Sequence, residues 1–269
     1  MPSVNRVKDI WSSGRAAFGM WCGIPGAAGI ELFSGADLDY VCIDRQHGLI
    51  GFDAMAAMIR AVESIGATPF VRVPQNEAWM VMHALDAGAL GVIVPLVNDA
   101  ADARRAVSAC RFPPDGTRSY GPIRAAKAVG SADPKILGGE VLCVAQIETK
   151  EGLENAEDIC STSGLDGVYI GPADLAITMA IPPDEATGNP DHAEAVEYIR
   201  RTCEKNGIAS GVHTTSGAAA KECAERGFTM VNAGVDYVML PEAARREMEK
   251  LEAERGRNDA GYSHPPLST

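Results

Sequence analysis

Two kinds of hydrophobic pattern alternate along the chain. Short apolar, β-branched runs read as buried strands, and longer stretches with apolar residues every three or four positions read as amphipathic helices. The strand-like runs are Ala16–Trp21, Tyr40–Asp44, Thr68–Val73, Gly91–Val97, Leu142–Glu148, Gly167–Ile170, Ile208–His213 and Met230–Ala233. Helices are predicted over Val7–Trp11, Phe52–Val62, Ala100–Cys110, Ala193–Lys205, Ser216–Arg226 and Glu242–Arg255. Eight strands alternating with helices over about 250 residues is the arithmetic of a (β/α)8 TIM barrel. No repeat, linker or low-complexity tract interrupts the pattern, so residues 1–255 are expected to form a single barrel domain. Residues 256–269, with Pro265-Pro266, are expected to be a loose C-terminal tail. Between the fourth and fifth strands, Arg111–Pro122 carries Pro113, Pro114 and Pro122 and predicts a long, turn-rich loop belonging to a site or an oligomer contact.

Composition narrows the class. With 46% hydrophobic and 22% charged residues the chain has the make-up of a soluble globular protein, not a disordered one. A formal net charge of −12, without any basic run interleaved with aromatics, argues against nucleic acid as a partner and against anionic membrane surfaces. No apolar run approaches the ~20 residues of a membrane-spanning helix, and the N-terminal stretch lacks the apolar core of a signal peptide. Seven cysteines without a CxxC pair, several inside strand-like runs, read as reduced, buried small hydrophobes of a cytoplasmic protein.

Candidate chemistry gathers at the strand ends. Val144-Ala-Gln-Ile-Glu-Thr and Gly171-Pro-Ala-Asp-Leu place Glu148 and Asp174 where two consecutive strands give way to loops. On a barrel those ends share one face, so the two carboxylates can converge on one divalent cation; hard oxygen ligands suit Mg, Mn or Co better than structural zinc. The alternative is that Glu148 caps the helix starting near Thr149 and Asp174 caps a short turn. The same face collects Trp21, Asp44, His47, Arg72, Gln146 and His213. Arg72 ends an apolar strand with a permanent charge, which calls for a substrate oxygen, a barrel acid, or both as partner. His47 suits general acid–base work near neutral pH, with Asp86 available to orient it, or is a loop histidine satisfied by backbone carbonyls. Gly171 and Ala173 offer backbone N–H groups that can hold a carboxylate beside a metal, whereas a lone Gly-Pro also marks an ordinary turn.

Six motifs in order carry a resemblance: Asp-Arg-Gln-His-Gly at 44–48, Val-Arg-Val-Pro at 71–74, Leu-Asp-Ala-Gly-Ala at 85–89, Phe-Pro-Pro-Asp-Gly-Thr-Arg at 112–118, Gln-Ile-Glu-Thr at 146–149 and Gly-Pro-Ala-Asp-Leu at 171–175. From about Ala16 to Leu240 the chain resembles the HpcH/HpaI class II pyruvate aldolases, the 2,4-dihydroxyhept-2-enedioate aldolase type. The resemblance implies a barrel of the phosphoenolpyruvate/pyruvate-binding type and a homo-oligomer, trimer or hexamer, with exchanged C-terminal helices. It implies reversible retro-aldol cleavage of a 4-hydroxy-2-keto acid to pyruvate and an aldehyde through a metal-stabilised enolate. Glu148 and Asp174 then look like the metal ligands, Arg72 like the partner of the enolate oxygen, and His47 with Asp86 like the acid–base dyad. Gln146 would sit beside the metal, Gly171 and Ala173 would hold the pyruvate carboxylate, and Trp21 would shape the acceptor pocket. Alternatives are an oxaloacetate decarboxylase or acyl-CoA lyase using the same enolate site, and a non-catalytic barrel that binds a keto acid. The chain departs from the family pattern at Gln46, where glutamate is usual, at Ser119 and Tyr120 after Arg118, over Met179–Ile181, and at His213, where an apolar residue is expected. His213 is therefore expected to contact a polar or acidic acceptor.

Overall fold

A computed structural model describes residues 4–255, so the expectation of a loose tail falls outside the described residues. Eight strands, β1 (Ala17–Cys22), β2 (Tyr40–Asp44), β3 (Thr68–Arg72), β4 (Gly91–Val94), β5 (Leu142–Ile147), β6 (Gly167–Ile170), β7 (Ala209–Val212) and β8 (Met230–Val235), pair in parallel and close into a barrel in chain order. The (β/α)8 architecture expected from the hydrophobic pattern is the one observed. Register fixes which side chains meet at the carboxyl ends: Asp44 is paired with Arg72 across β2 and β3, and Gln146 with Tyr169 across β5 and β6.

Where boundaries differ from expectation, local chemistry gives the reason. β4 stops at Val94 instead of Val97 because Pro95 has no N–H to donate and Leu96 adopts φ +54°, which breaks the extended run. One helix begins at Pro190, not Ala193: Asn189 caps it by accepting from the amides of Asp191 and His192, and Pro190 takes the first helical position. The final helix spans Asp236–Arg255 and carries Pro241 inside it, six residues earlier than the expected start at Glu242. Its first residue is anchored, since the Asp236 carboxylate accepts from the amides of Gly23 and Ile24 after β1. The loop over 111–122 is non-helical as its prolines require, but two short helices, Ala125–Val129 and Pro134–Glu140, follow it unpredicted, as does Ala78–Asp86 elsewhere.

Two apolar layers hold the barrel. Between strands and helices lies the larger one, built from residues such as Val41, Ile43, Met55, Ile59, Val92 and Ile147. Inside the barrel, Trp21, Tyr40, Phe70 and Tyr169 fill the axis, and the helix Arg6–Ser12 adds Val7 and Ile10 to them. Tyr169 fits because position 211 is glycine; a Cβ there would lie 2.5 Å from its ring. All seven cysteines are free, six of them buried, as expected of small core residues.

Candidate active site

The carboxyl ends of the strands surround a pocket lined by His47, Arg72, Gln146, Tyr169, Gly171, Pro172, Ala173, Asp174, His213 and Tyr237, with a cavity volume of about 170 Å³. Glu148, 1% exposed, lies against two of these lining residues, Gln146 and Gly171. Its Oε1 accepts from the Leu96 amide at 2.9 Å, and its Oε2 from the Gln146 side-chain amide. Glu148 is thus not a helix cap. Thr149 fills that role, accepting from the amide of Gly152, while Asp174 sits in the first turn of the helix Pro172–Thr178 with its side chain exposed. Burial pushes the Glu148 carboxyl above its usual range; the Leu96 amide opposes this and the negative charge of Asp174 adds to it. A buried carboxylate whose proton affinity is raised by burial and by the charge of a second carboxylate is one that a bound cation would stabilise.

The donor set also fits a divalent metal. Glu148 and Asp174 supply hard oxygens, and the buried Gln146 Oε1 beside them has no hydrogen-bond partner among the described residues. Among the described residues no group of three or more His, Cys, Asp or Glu side chains is placed to hold a metal ion. One or two carboxylates are how Mg²⁺ is commonly held when substrate and water complete its shell, and Glu148 with Asp174 would meet that need. Gly171 makes this arrangement possible, because a Cβ at that position would come within 2.7 Å of Glu148 Oε2.

Of the partners expected for Arg72, the structure shows the barrel acid. Its Nε and Nη2 donate to Asp44 Oδ1 and Oδ2 at 2.8 and 2.6 Å, a bidentate pair set by strand register, while the guanidinium also lines the pocket. Burial alone would raise the Asp44 carboxyl, but the hydrogen bonds and charge of Arg72 outweigh it and hold Asp44 below the usual carboxylate range. The amides of Gln46 and His47 donate to Asp44 Oδ1 as well, at 2.9 and 3.4 Å, so the loop that presents His47 is pinned to the Arg72–Asp44 pair. His47 itself is exposed at the rim.

Three expectations need correction. Asp86 does not orient His47 within the chain: no contact joins them among the described residues, and Asp86 instead accepts from Arg118 Nη2 at 2.8 Å. Asp86 ends a helix that runs back along the barrel, which puts it at the opposite end from the loop after β2. Gly171 does not have a free amide, because its N–H donates to Ile147 O at 3.2 Å as a rung between β5 and β6. The amides left at the start of the following helix belong to Ala173 and Asp174. Trp21 does not line the pocket; it is fully buried beneath it, stacked on Tyr169 at 5.2 Å, edge-on to His213 at 5.0 Å, and 4.9 Å from the Arg72 guanidinium carbon.

Residues 17–243 match the profile of the HpcH/HpaI aldolase/citrate lyase family. The chain belongs to that family. It is 38% identical over 243 residues to the hydroxypyruvate/pyruvate aldolase of Rhizorhabdus wittichii, covering 90% of this chain and 97% of the relative. With the 4-hydroxy-2-oxo-heptane-1,7-dioate aldolase of Salmonella dublin it shares 33% identity over 262 residues, covering 95% and 98%. Among solved structures, an HpcH/HpaI aldolase/citrate lyase family protein from Burkholderia cenocepacia superposes with a TM-score of 0.84 at 29% identity, covering 91% of this chain and 98% of that one. The chain is accordingly an enzyme of the carbon–carbon lyase class.

On this HpcH/HpaI barrel, sequence reasoning missed Tyr169, Asn232, Tyr237 and Leu96 as parts of the site. Tyr169 and Asn232 are polar residues inside strand runs, a signal available in the sequence, since a buried hydroxyl or amide requires a partner. Tyr237 enters the pocket only because the last helix starts immediately after β8.

Proposed function

We propose that the chain is a metal-dependent pyruvate aldolase that cleaves a 4-hydroxy-2-keto acid to pyruvate and an aldehyde. The observation carrying this reading is Arg72, fixed by Asp44 and lining the same small pocket as Gln146 and Asp174, with the Glu148 carboxylate directly behind Gln146. Glu148 and Asp174 would hold a divalent cation such as Mg, Mn or Co, which when bound supplies a Lewis acid for the carbonyl of a 2-keto acid.

Every other part of the chemistry falls to side chains and backbone of this chain. Arg72 is a preorganised cation: its position is set by Asp44 before substrate arrives, so negative charge developing on an enolate oxygen meets it without rearrangement. The amides of Ala173 and Asp174 provide donors for the substrate carboxylate. His47, at the rim and in the loop pinned by Asp44, is placed to take the proton of the 4-hydroxyl that starts cleavage and to return a proton to the products. Among the described residues no lysine lines the pocket, which agrees with a route that forms no Schiff base.

The relatives' names, a hydroxypyruvate/pyruvate aldolase and a 4-hydroxy-2-oxo-heptane-1,7-dioate aldolase, support an aldol reaction on a 2-keto acid. A homo-oligomer belongs to the same proposal, carried by the helix Asp236–Arg255, whose Met239, Leu240, Met248 and Leu251 are exposed on the single chain. Sedimentation should then report a trimer or hexamer. The function is tested by pyruvate release from a panel of 4-hydroxy-2-keto acids and oxaloacetate with Mn, Co or Mg. Release that a chelator abolishes supports the aldolase; release from oxaloacetate alone would replace it with a decarboxylase.

A further inference from the structure

The residue at the end of β7 is where this chain departs from its family's apolar expectation, and its surroundings fix more than its presence. His213 Nδ1 lies 3.4 Å from the Tyr169 hydroxyl, and that hydroxyl lies 2.7 Å from Asn232 Oδ1. Which way each bond runs follows from the far end of the chain of contacts. Asn232 is clamped by the backbone of Thr214: its Nδ2 donates to Thr214 O and its Oδ1 accepts from the Thr214 amide at 3.0 Å. Reversing the Asn232 amide would set two donors and two acceptors face to face, so its orientation is determined. Asn232 Oδ1 is thus an acceptor only, and the single proton of the Tyr169 hydroxyl must be spent on it. What Tyr169 offers His213 is a lone pair, and Nδ1 meets it as N–H. In the neutral ring, Nε2 then carries the lone pair.

We infer that His213 is a specificity residue whose tautomer is locked by Tyr169 and Asn232, so that Nε2 presents a hydrogen-bond acceptor to a hydroxyl group of the substrate. The inference rests on the aldolase reading for the identity of that substrate, but not for the tautomer. Nε2 has no protein partner among the described residues, and His213 lines the pocket, so the lone pair is left to the ligand. Burial, reinforced by the charge of Arg72, pulls the imidazole down to about 4, which keeps the ring neutral across the physiological range. A neutral acceptor attracts an O–H and repels a carboxylate. The expectation of a polar or acidic acceptor is thereby narrowed to its polar half: a hydroxylated partner is favoured over an aldehyde ending in a carboxylate. Two substrate positions can supply the hydroxyl, the carbon next to the aldehyde or the C3 carbon of hydroxypyruvate.

The experiment has two arms on the full-length enzyme. First, ¹⁵N-histidine labelling with NMR reads the tautomer, the His213 signal being identified by its loss in His213→Leu. A protonated Nδ1 and bare Nε2 at pH 7 is expected, shifting toward a mixture in Tyr169→Phe. An Nε2–H ring or an imidazolium in the wild type would overturn the inference. Second, carbon–carbon bond formation is compared for pyruvate and hydroxypyruvate, each with acetaldehyde, glycolaldehyde and succinic semialdehyde. A hydrogen bond of ordinary strength predicts an about three- to tenfold preference in kcat/KM for one hydroxylated partner over its deoxy analogue, reduced in both variants. Whichever pair shows the preference locates the hydroxyl. Equal rates, or a preference for succinic semialdehyde that His213→Leu abolishes, would overturn it. Deuterium exchange at the pyruvate methyl group in the wild type separates the two levels: without metal-dependent exchange the aldolase reading fails, whereas exchange without hydroxyl preference sinks only the role of His213.

Discussion

Replacing Gly171 by alanine isolates the geometry of the two-carboxylate platform. The backbone there, φ −94° and ψ 90°, is open to any L residue, so the substitution carries no conformational penalty of its own. What it adds is one methyl group 2.7 Å from Glu148 Oε2, 2.9 Å from Glu148 Cβ and 3.0 Å from Gln146 Nε2. Normal contact distances are about 3.5 Å or more, so Glu148 must retreat by several tenths of an ångström or the β6 end must move. Overpacking of this size costs about 1–3 kcal/mol, and for a barrel of this length each kcal/mol lowers Tm by about 2–4 °C. The displaced carboxylate also loses its alignment with the Leu96 amide, and misaligned ligand shells typically weaken metal binding about 10- to 100-fold. Mn²⁺ titration by calorimetry, alongside thermal melts, reads both effects. Gly139→Ala is the control: nothing lies within 4 Å of its Cβ position and it is helical, so it should bind metal as the wild type does and melt no lower. A Gly171→Ala enzyme with wild-type metal affinity and wild-type Tm would refute the argument.

Other consequences follow from the same contacts. Asp44→Asn strands a buried guanidinium and should destabilise the fold by about 3–5 kcal/mol in urea unfolding, with activity lost along with the Arg72 orientation. Because the folded Asp44 carboxyl sits below its unfolded value of about 3.9, the stabilisation is present above that pH and is lost as pH falls through the folded value; acid unfolding of Asp44→Asn should show correspondingly less dependence in that range. His213 has the same sign for a different reason: its folded pKa of about 4 lies below the unfolded 6.5, so wild-type stability declines as pH drops from 6.5 toward 4, and His213→Leu should lose that decline. Arg72→Lys keeps the charge but not the fork that Asp44 grips, and kcat should fall at least about 10²-fold, measured as pyruvate release.

The barrel was legible because eight apolar runs at regular spacing leave little room for another arrangement, and β2 and β6 match their expected limits residue for residue. Glu148, Arg72, Gln146 and His47 were legible as candidates because strand ends on one barrel face must converge. Pairings were harder to read. That Arg72 takes Asp44 depends on the β2–β3 register, which hydrophobic pattern does not encode at single-residue precision. Asp86 was misplaced because a helix end and a strand end look equally near a motif in the sequence, yet they lie at opposite ends of the barrel. The family resemblance implies a pocket role for Trp21, but its side chain points inward where Tyr169 offers a stacking surface. The tautomer of His213 lies still deeper, since it depends on Asn232 and Thr214, residues from the neighbouring strand and the loop beyond β7.

Deuterium exchange at the methyl group of pyruvate, followed by proton NMR with and without Mn²⁺ or Mg²⁺ in wild type and Glu148→Ala, tests the enolate site without requiring the natural aldehyde. Exchange that needs the metal in the wild type and disappears in Glu148→Ala is the predicted result. Exchange that persists in Glu148→Ala, or that proceeds equally in chelator, would contradict a site built on the Glu148 and Asp174 carboxylates.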